Sequence, residues 1–154
     1  MRQAGEPVVL LDGDSLRAIL GVEPKVDEGY DRASRRDLAM KYSNICRMIA
    51  LQGINVVIST ISLFKEVHNW NRHHFPAYFE GYLKVSLKEL LRRGPKGIYE
   101  RFYSGDLTNV AGLDISIDEP EAPDLLIQTD EIDITSNWAT TILRNMKKRG
   151  YFHN

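Results

Sequence analysis

The first apolar run of the chain, Val8-Val9-Leu10-Leu11, ends in Asp12-Gly13-Asp14, and Arg17 follows three residues later. Two carboxylates at a strand end can hold a hydrated magnesium ion and accept a proton from an attacking hydroxyl. The same spacing also suits a plain strand-to-helix turn in which Asp12 or Asp14 caps the helix. Either way, the run reads as a buried strand that delivers both aspartates to the carboxyl edge of a sheet, where open α/β folds hold their ligands.

Further along, Tyr30 and Arg35 flank a helix start, Ser59-Thr60-Ile61-Ser62-Leu63-Phe64 follows a second apolar run, and Arg93-Gly94-Pro95-Lys96-Gly97-Ile98-Tyr99 joins two short helical segments. Taken by spacing alone, these are a helix N-terminus with solvated arginines, a serine N-cap and a turn with solvated cations. His68, His73, His74 and His153 show no metal-ligand spacing with carboxylates, so no metal centre built from protein side chains is expected. The single Cys46 excludes an intramolecular disulfide framework and an all-cysteine zinc site, and its place in a helical apolar pattern makes it a core residue.

The elements that must position these residues alternate. Strand-like runs recur at Val8–Leu11, Ile54–Ser59, Tyr82–Val85 and Leu125–Gln128, separated by longer polar–apolar segments. That order predicts βαβ units and a mostly parallel sheet. Between Asp31 and Gln52, Leu38, Tyr42, Ile45 and Ile49 fall at helical spacing, and Gly53 supplies a stop. Helices are also predicted over about 64–74, 87–93, 97–104 and 135–149, and 105–124 reads as an ordered loop. Trp70 and Trp138 read as packing residues.

At 154 residues the chain makes one domain. Charged residues make up 27% and the net charge is −1, so no basic groove for nucleic acid and no polybasic membrane surface is expected. No run approaches the ~18 apolar residues of a membrane helix, and no signal peptide precedes the first strand. A cytoplasmic, soluble protein acting on a small molecule is the expectation.

Leu10-Leu11-Asp12-Gly13-Asp14-Ser15-Leu16-Arg17 resembles the L-L-D-G-D-N-V-R segment of adenylylsulfate kinases, which phosphorylate the 3′-hydroxyl of adenylyl sulfate with MgATP. The resemblance runs from about Gly5 to Phe152. It implies a three-layer α/β fold of the P-loop kinase type, with ATP and Mg²⁺ as cofactors. It implies that Asp14 and Asp12 are the catalytic carboxylates, Asp14 as the base or metal-linked group, and that Arg17 holds the phosphosulfate. Gly29-Tyr30-Asp31-Arg32-Ala33-Ser34-Arg35 looks like G-F-S-x-x-D-R, where the aromatic stacks on adenine and the arginine contacts the phosphosulfate. An aromatic plate is worth ~1–3 kcal/mol per base, and an arginine fork suits an anionic diester.

The Ser59–Phe64 segment resembles S-F-I-S-P-F, which lines the substrate pocket with Ile61 and presents Ser62 at a helix start. The 93–99 segment resembles R-D-P-K-G-L-Y, the opening of a mobile lid. By that likeness Lys96 and Ile98 reach the substrate, Lys96 takes part in catalysis, and Arg93 meets the nucleotide phosphates. Gly105-Asp106-Leu107-Thr108-Asn109-Val110-Ala111-Gly112-Leu113-Asp114 matches G-E-I-x-x-F-T-G-I-D, placing Val110 where the family carries the second adenine plate. Leu38 stands where the family has a substrate-binding asparagine. These two departures put a related kinase of another small-molecule hydroxyl beside adenylyl sulfate as an alternative.

No G-x-x-x-x-G-K-[ST] phosphate loop occurs in these residues, and the resemblance places such a loop, with a central strand, upstream of Val8. The N-terminus is therefore expected to be incomplete, the first βα unit being absent. A catalytically inactive interaction domain is the third reading. The resemblance leaves a homodimer open.

Overall fold

The computed structural model describes residues 6–22, 31–94, 97–130 and 138–151. Its elements alternate as the sequence predicts: β1 (Val8–Asp12), α1 (Gly13–Ile19), α2 (Arg32–Ala50), β2 (Asn55–Ser59), α3 (Lys65–His74), β3 (Gly81–Lys84), α4 (Leu87–Arg93), α5 (Ile98–Tyr103), β4 (Leu125–Gln128) and α6 (Trp138–Lys148). β1 pairs in parallel with β2, with Asp12 opposite Ser59. β3 pairs in parallel with β4, with Lys84 opposite Gln128. Parallel pairing brings the carboxyl ends of partner strands together, so Asp12 and the Ser59–Phe64 segment meet at one edge.

The two pairs form separate two-stranded sheets among the described residues. Each strand thus keeps an open backbone edge, and several apolar side chains on the strands stay exposed, among them Leu10, Val57, Ile58, Leu83 and Leu126. Strands this apolar on both faces are what covered parallel sheets are made of.

Helix α2 organises the interior. Its Leu38 and Tyr42 bury against Leu16 of α1, with Leu11 and Val22 packed alongside. Ala39 buries against Phe64 and Val67 of α3. Cys46 is buried, and burial pushes its thiol up to about 11, which keeps it protonated and inert at neutral pH. Asp31 caps α2 by accepting from the Ser34 N–H at 2.7 Å, and this hydrogen bond holds its carboxyl below the usual range.

The D-G-D turn needs its glycine for space. A Cβ on Gly13 would stand 3.2 Å from the Ser59 carbonyl oxygen and 3.2 Å from Thr60 Cγ2. The Gly13 carbonyl also accepts a hydrogen bond from the buried Tyr42 hydroxyl at 3.0 Å, so the turn is held from two sides. Gly13→Ala is expected to destabilise the protein by about 1–2 kcal/mol, the overpacking strain exceeding the gain in helix propensity. Urea unfolding midpoints would show it, and an unchanged or raised midpoint would refute it.

An ionic knot built on two buried carboxylates joins Arg72 of α3 to Arg149, which follows α6. Glu80 and Asp124 keep side-chain exposures of 9% and 6%. Arg72 donates to Glu80 at 2.6 Å and to Asp124 at 3.2 Å, and Arg149 donates to Asp124 at 2.5 Å. Two guanidiniums against two carboxylates balance the charge, the condition under which buried ions are tolerated. The Tyr151 hydroxyl adds a bond to the Tyr78 carbonyl at 2.6 Å, and burial raises the Tyr78 phenol to about 12.

Candidate functional site

Asp12 ends β1 with extended backbone and caps α1, accepting from the Ser15 N–H at 3.0 Å and the Ser15 hydroxyl at 3.1 Å. Asp14, in the first turn of α1, pairs with Arg17 on the same face of the helix. Asp14 is 62% exposed and Arg17 33% exposed. Asp12 is thus the capping aspartate, while Asp14 faces solvent. Two carboxylates at one strand end suit a cation that keeps several waters and takes only one or two protein oxygens, as Mg²⁺ does. Among the described residues no cluster of three or more metal-ligating side chains forms.

Beside this edge lies a narrow cleft of about 10 Å³, open to solvent. Arg35 of α2 forms one side, Ile61 and Phe64 a second, and Ala111, Ile115 and Ile117 a third. Ile61 is 76% exposed at its mouth. The structure therefore brings Arg35 and Ile61 to the lining of one cleft. Helix α3 begins at Lys65 with Phe64 at the cap position and no side-chain cap of its own, so Ser62 is not its cap. The Ser62 carbonyl instead lies 2.6 Å from His68 Nε2.

The missing cap comes from far along the chain. Asp118 Oδ2 accepts from the Lys65 N–H at 3.1 Å and from Arg32 Nη2 at 2.7 Å. The Asp118 N–H donates to the Leu63 carbonyl at 2.9 Å. The Arg32 guanidinium lies 5.3 Å from the centroid of the Phe64 ring, within cation–π range. One carboxylate thus joins the start of α2, the start of α3 and the 115–118 loop, which form the walls of the cleft. The sequence reading did not single out Asp118, Arg32 or His68. Only the vacant cap at Phe64 hinted that a partner was needed.

The loop 105–124 is ordered, as expected, and folds back at an isolated bridge between Ala111 and Ile115. The Asp114 carboxylate accepts from the Asn109 N–H at 2.7 Å and the Val110 N–H at 2.5 Å. Val110 is buried beneath the loop. Leu38 is buried in the α1–α2 core, so it offers nothing to a ligand.

Arg93, at the end of α4, donates to the Thr129 carbonyl at 2.5 Å and to Glu89 at 2.8 Å. Hydrogen bonds from Arg92 and Arg93 hold the Glu89 carboxyl down to about 2. Gly94 and Gly97 have positive φ of 53° and 63°, a conformation glycine adopts without Cβ strain. Ile98 opens α5. Tyr30 and Lys96 lie outside the described residues.

Parallel strands with helices between them, and carboxylates presented where a strand ends, define an α/β protein with its candidate site at the carboxyl ends of its strands. The model of the adenylylsulphate kinase family matches residues 1–128, and the chain belongs to that family. It is 39% identical over 120 residues to a cytidine diphosphoramidate kinase of Campylobacter jejuni, covering 78% of this chain and 67% of that protein. It is 30% identical over 141 residues to a probable adenylyl-sulfate kinase of Aeropyrum pernix, covering 89% of this chain and 75% of that protein. Among solved structures, it superposes on the APS kinase of Mycobacterium tuberculosis in complex with AMPPNP and APS. There the TM-score is 0.76 and the identity 26%, covering 92% of this chain and 83% of that one. Among the described residues no helix is long and apolar enough to cross a membrane.

Proposed function

We propose that the protein moves the γ-phosphoryl group of ATP, with Mg²⁺, to a hydroxyl of a nucleotide-linked anionic substrate bound in the cleft beside Arg35. The observations that carry this are a solvent-facing carboxylate, Asp14, in the first turn after β1, and a cleft lined by Arg35 and by the segment that follows β1's partner strand. In this reading Asp14 takes the hydroxyl proton or would help hold the metal, with Asp12 fixing the turn that presents it. Arg17, Arg35 and Lys96 stabilise charge on the substrate and the transferring group, so catalysis is mainly positioning and electrostatics. Ile61, Ser62, Ile98 and Val110 shape the substrate side, Tyr30 stacks on the base, and Arg93 serves the nucleotide phosphates. Mg²⁺, which Asp14 and Asp12 would hold, would supply positive charge to offset that of the phosphates.

Two substrates are favoured by different observations. Adenylyl sulfate, the substrate of sulfate activation, is favoured by the family match over residues 1–128. A cytidine diphosphoramidate-type nucleotide is favoured by the 39% identity to a kinase named for it. The absence of an aromatic plate at Val110 and of an amide at Leu38 removes two features that the family resemblance ties to adenylyl sulfate. We place the cytidine-type substrate first on that ground. A strand carrying a phosphate loop would pair with the open strand edges and cover residues such as Val57, Ile58 and Leu83, which supports the kinase reading over an inactive module.

Calorimetry tests the choice. Cytidine 5′-diphosphate is expected to bind more tightly than adenylyl sulfate, by about tenfold or more for a difference of one charge-assisted hydrogen bond or one stacking contact. Tighter binding of adenylyl sulfate would reverse the order. Binding of neither would leave the interaction-domain reading standing.

A further inference from the structure

We infer that Asp114 is a positioning residue that aims the Arg35 guanidinium into the cleft through a strained turn at Asn109. The inference rests on the proposed reading of Arg35 as the arginine that meets the substrate's anionic group.

Asn109 is the one non-glycine residue with positive φ among those described, at 60°. Such a conformation places Cβ against its own backbone, and it persists where surrounding contacts over-determine it. Here the over-determining group is the Asp114 carboxylate, which spends both oxygens on consecutive amides: Oδ2 takes the Asn109 N–H at 2.7 Å and Oδ1 takes the Val110 N–H at 2.5 Å. The Val110 N–H and the Asn109 carbonyl belong to one planar trans peptide, so they point in opposite directions. Pinning the N–H on Asp114 therefore turns the carbonyl outward, where it accepts from Arg35 Nη2 at 2.7 Å. The guanidinium, half-buried on α2, is held at the cleft by this bond.

The Asp114 turn is closed on its far side by backbone bonds. The Leu113 N–H and the Ile115 N–H both reach the Val110 carbonyl, at 3.1 and 3.3 Å, and the Gly112 N–H reaches the Ile115 carbonyl at 3.0 Å. Ile115 and Ala111 of that closed turn face the cleft opposite Arg35. One carboxylate thus sets both the anion-facing side chain and the apolar wall across from it, without itself lining the cleft.

The mechanism makes a prediction that a simple contact role would not. Asp114→Ala is expected to weaken binding of the better of cytidine 5′-diphosphate and adenylyl sulfate by about tenfold, the scale of one misdirected charge-assisted hydrogen bond. Glycine adopts positive φ without Cβ strain, so Asn109→Gly in the Asp114→Ala background is expected to restore most of the loss. If Asp114 touched the ligand directly, the glycine would restore nothing, and the inference would be overturned. A ligand-free measurement runs beside it. The Arg35 Nε–Hε resonance in nitrogen-15 spectra is expected to broaden or shift in Asp114→Ala and to return in the double variant. An unchanged resonance in Asp114→Ala overturns the inference whatever the ligand does.

Arg35→Ala separates the two levels. Wild-type affinity in that variant overturns the anion reading and the positioning role built on it. Lost affinity there, with full affinity in Asp114→Ala, overturns the positioning role alone. If the wild type binds neither ligand, the proposed function falls and the spectra decide the turn. Should Asp114→Ala fail to fold, Asp114→Asn, which keeps one acceptor oxygen, is expected to show an intermediate shift of the Arg35 resonance. No shift there overturns the inference.

Discussion

Leu38→Asn is expected to cost the fold about 3–5 kcal/mol. By sequence position this substitution looks like the restoration of a substrate-binding amide, because Leu38 stands where the family resemblance places an asparagine. The structure gives it a different meaning. Leu38 is only 7% exposed and packs between Leu16 and Tyr42. Removing a buried leucine forfeits about 1.5–3 kcal/mol of apolar burial. Leaving an amide there without partners adds about 1–3 kcal/mol. Against a typical domain stability of about 5–15 kcal/mol, that is a large share. Denaturant titration checks it, with Leu38→Met as a control expected to lose less than about 1.5 kcal/mol. If Leu38→Asn keeps wild-type stability and also tightens adenylyl sulfate, the side chain reaches the ligand and the core assignment of this position is wrong.

The second large effect concerns turnover. The 154-residue polypeptide contains no G-x-x-x-x-G-K-[ST], the element whose backbone N–H groups and lysine cradle nucleotide phosphates. With MgATP and either candidate substrate it is expected to transfer phosphoryl far below the ~1–100 s⁻¹ usual for kinases. A radiolabelled-ATP assay measures this directly, and ordinary kinase turnover from these residues alone would show that another group binds the phosphates. Preceded by a segment bearing that loop, the same residues are expected to turn over. In that form Asp14→Asn should cut the rate by ~10²–10⁴-fold, the usual cost of losing a general base. The amide keeps the shape of the side chain and removes its charge. A nucleotide affinity that stays within a few-fold while the rate falls would place the effect on the chemical step. Wild-type turnover in Asp14→Asn would remove Asp14 from the mechanism.

The order of elements was legible because each is written in local pattern. Helix α2 announces itself through Leu38, Tyr42, Ile45 and Ile49 at helical spacing, with Gly53 after its end, and it runs over Arg32–Ala50. Helix α4 spans Leu87–Arg93 as read, because Gly94 takes the left-handed conformation that stops it. The strands run to lengths of 4 and 5 residues at the predicted places, and their parallel pairing follows from the helical crossovers between them. Cys46 is a core residue for the reason its neighbours gave. Asp12 and Asp14 are placed by the strand that carries them, since a residue at a strand's end has its place fixed by the strand.

What the tertiary structure alone decided are the partnerships between segments distant in sequence. The cap of α3 is a residue 53 positions away, Asp118, not the nearby serine. Capping needs only an acceptor oxygen in the right place, and no local pattern says which part of the chain supplies it. The Arg35 side chain is aimed by a carbonyl 74 positions on, whose direction depends on a carboxylate five residues further along. The Glu80–Arg72–Asp124–Arg149 knot joins four residues that look like ordinary surface charges in sequence. The fold buries the two carboxylates and keeps the two guanidiniums partly in solvent beside them, because a carboxylate withdrawn from water is stable only beside its opposite. The same logic separates Leu38 from the site. The motif likeness set Leu38 at a position where the family carries a ligand-binding amide, and the packing of α1 on α2 puts its side chain in the core, because an apolar side chain gains more from burial among Leu16 and Tyr42 than it could from an anion.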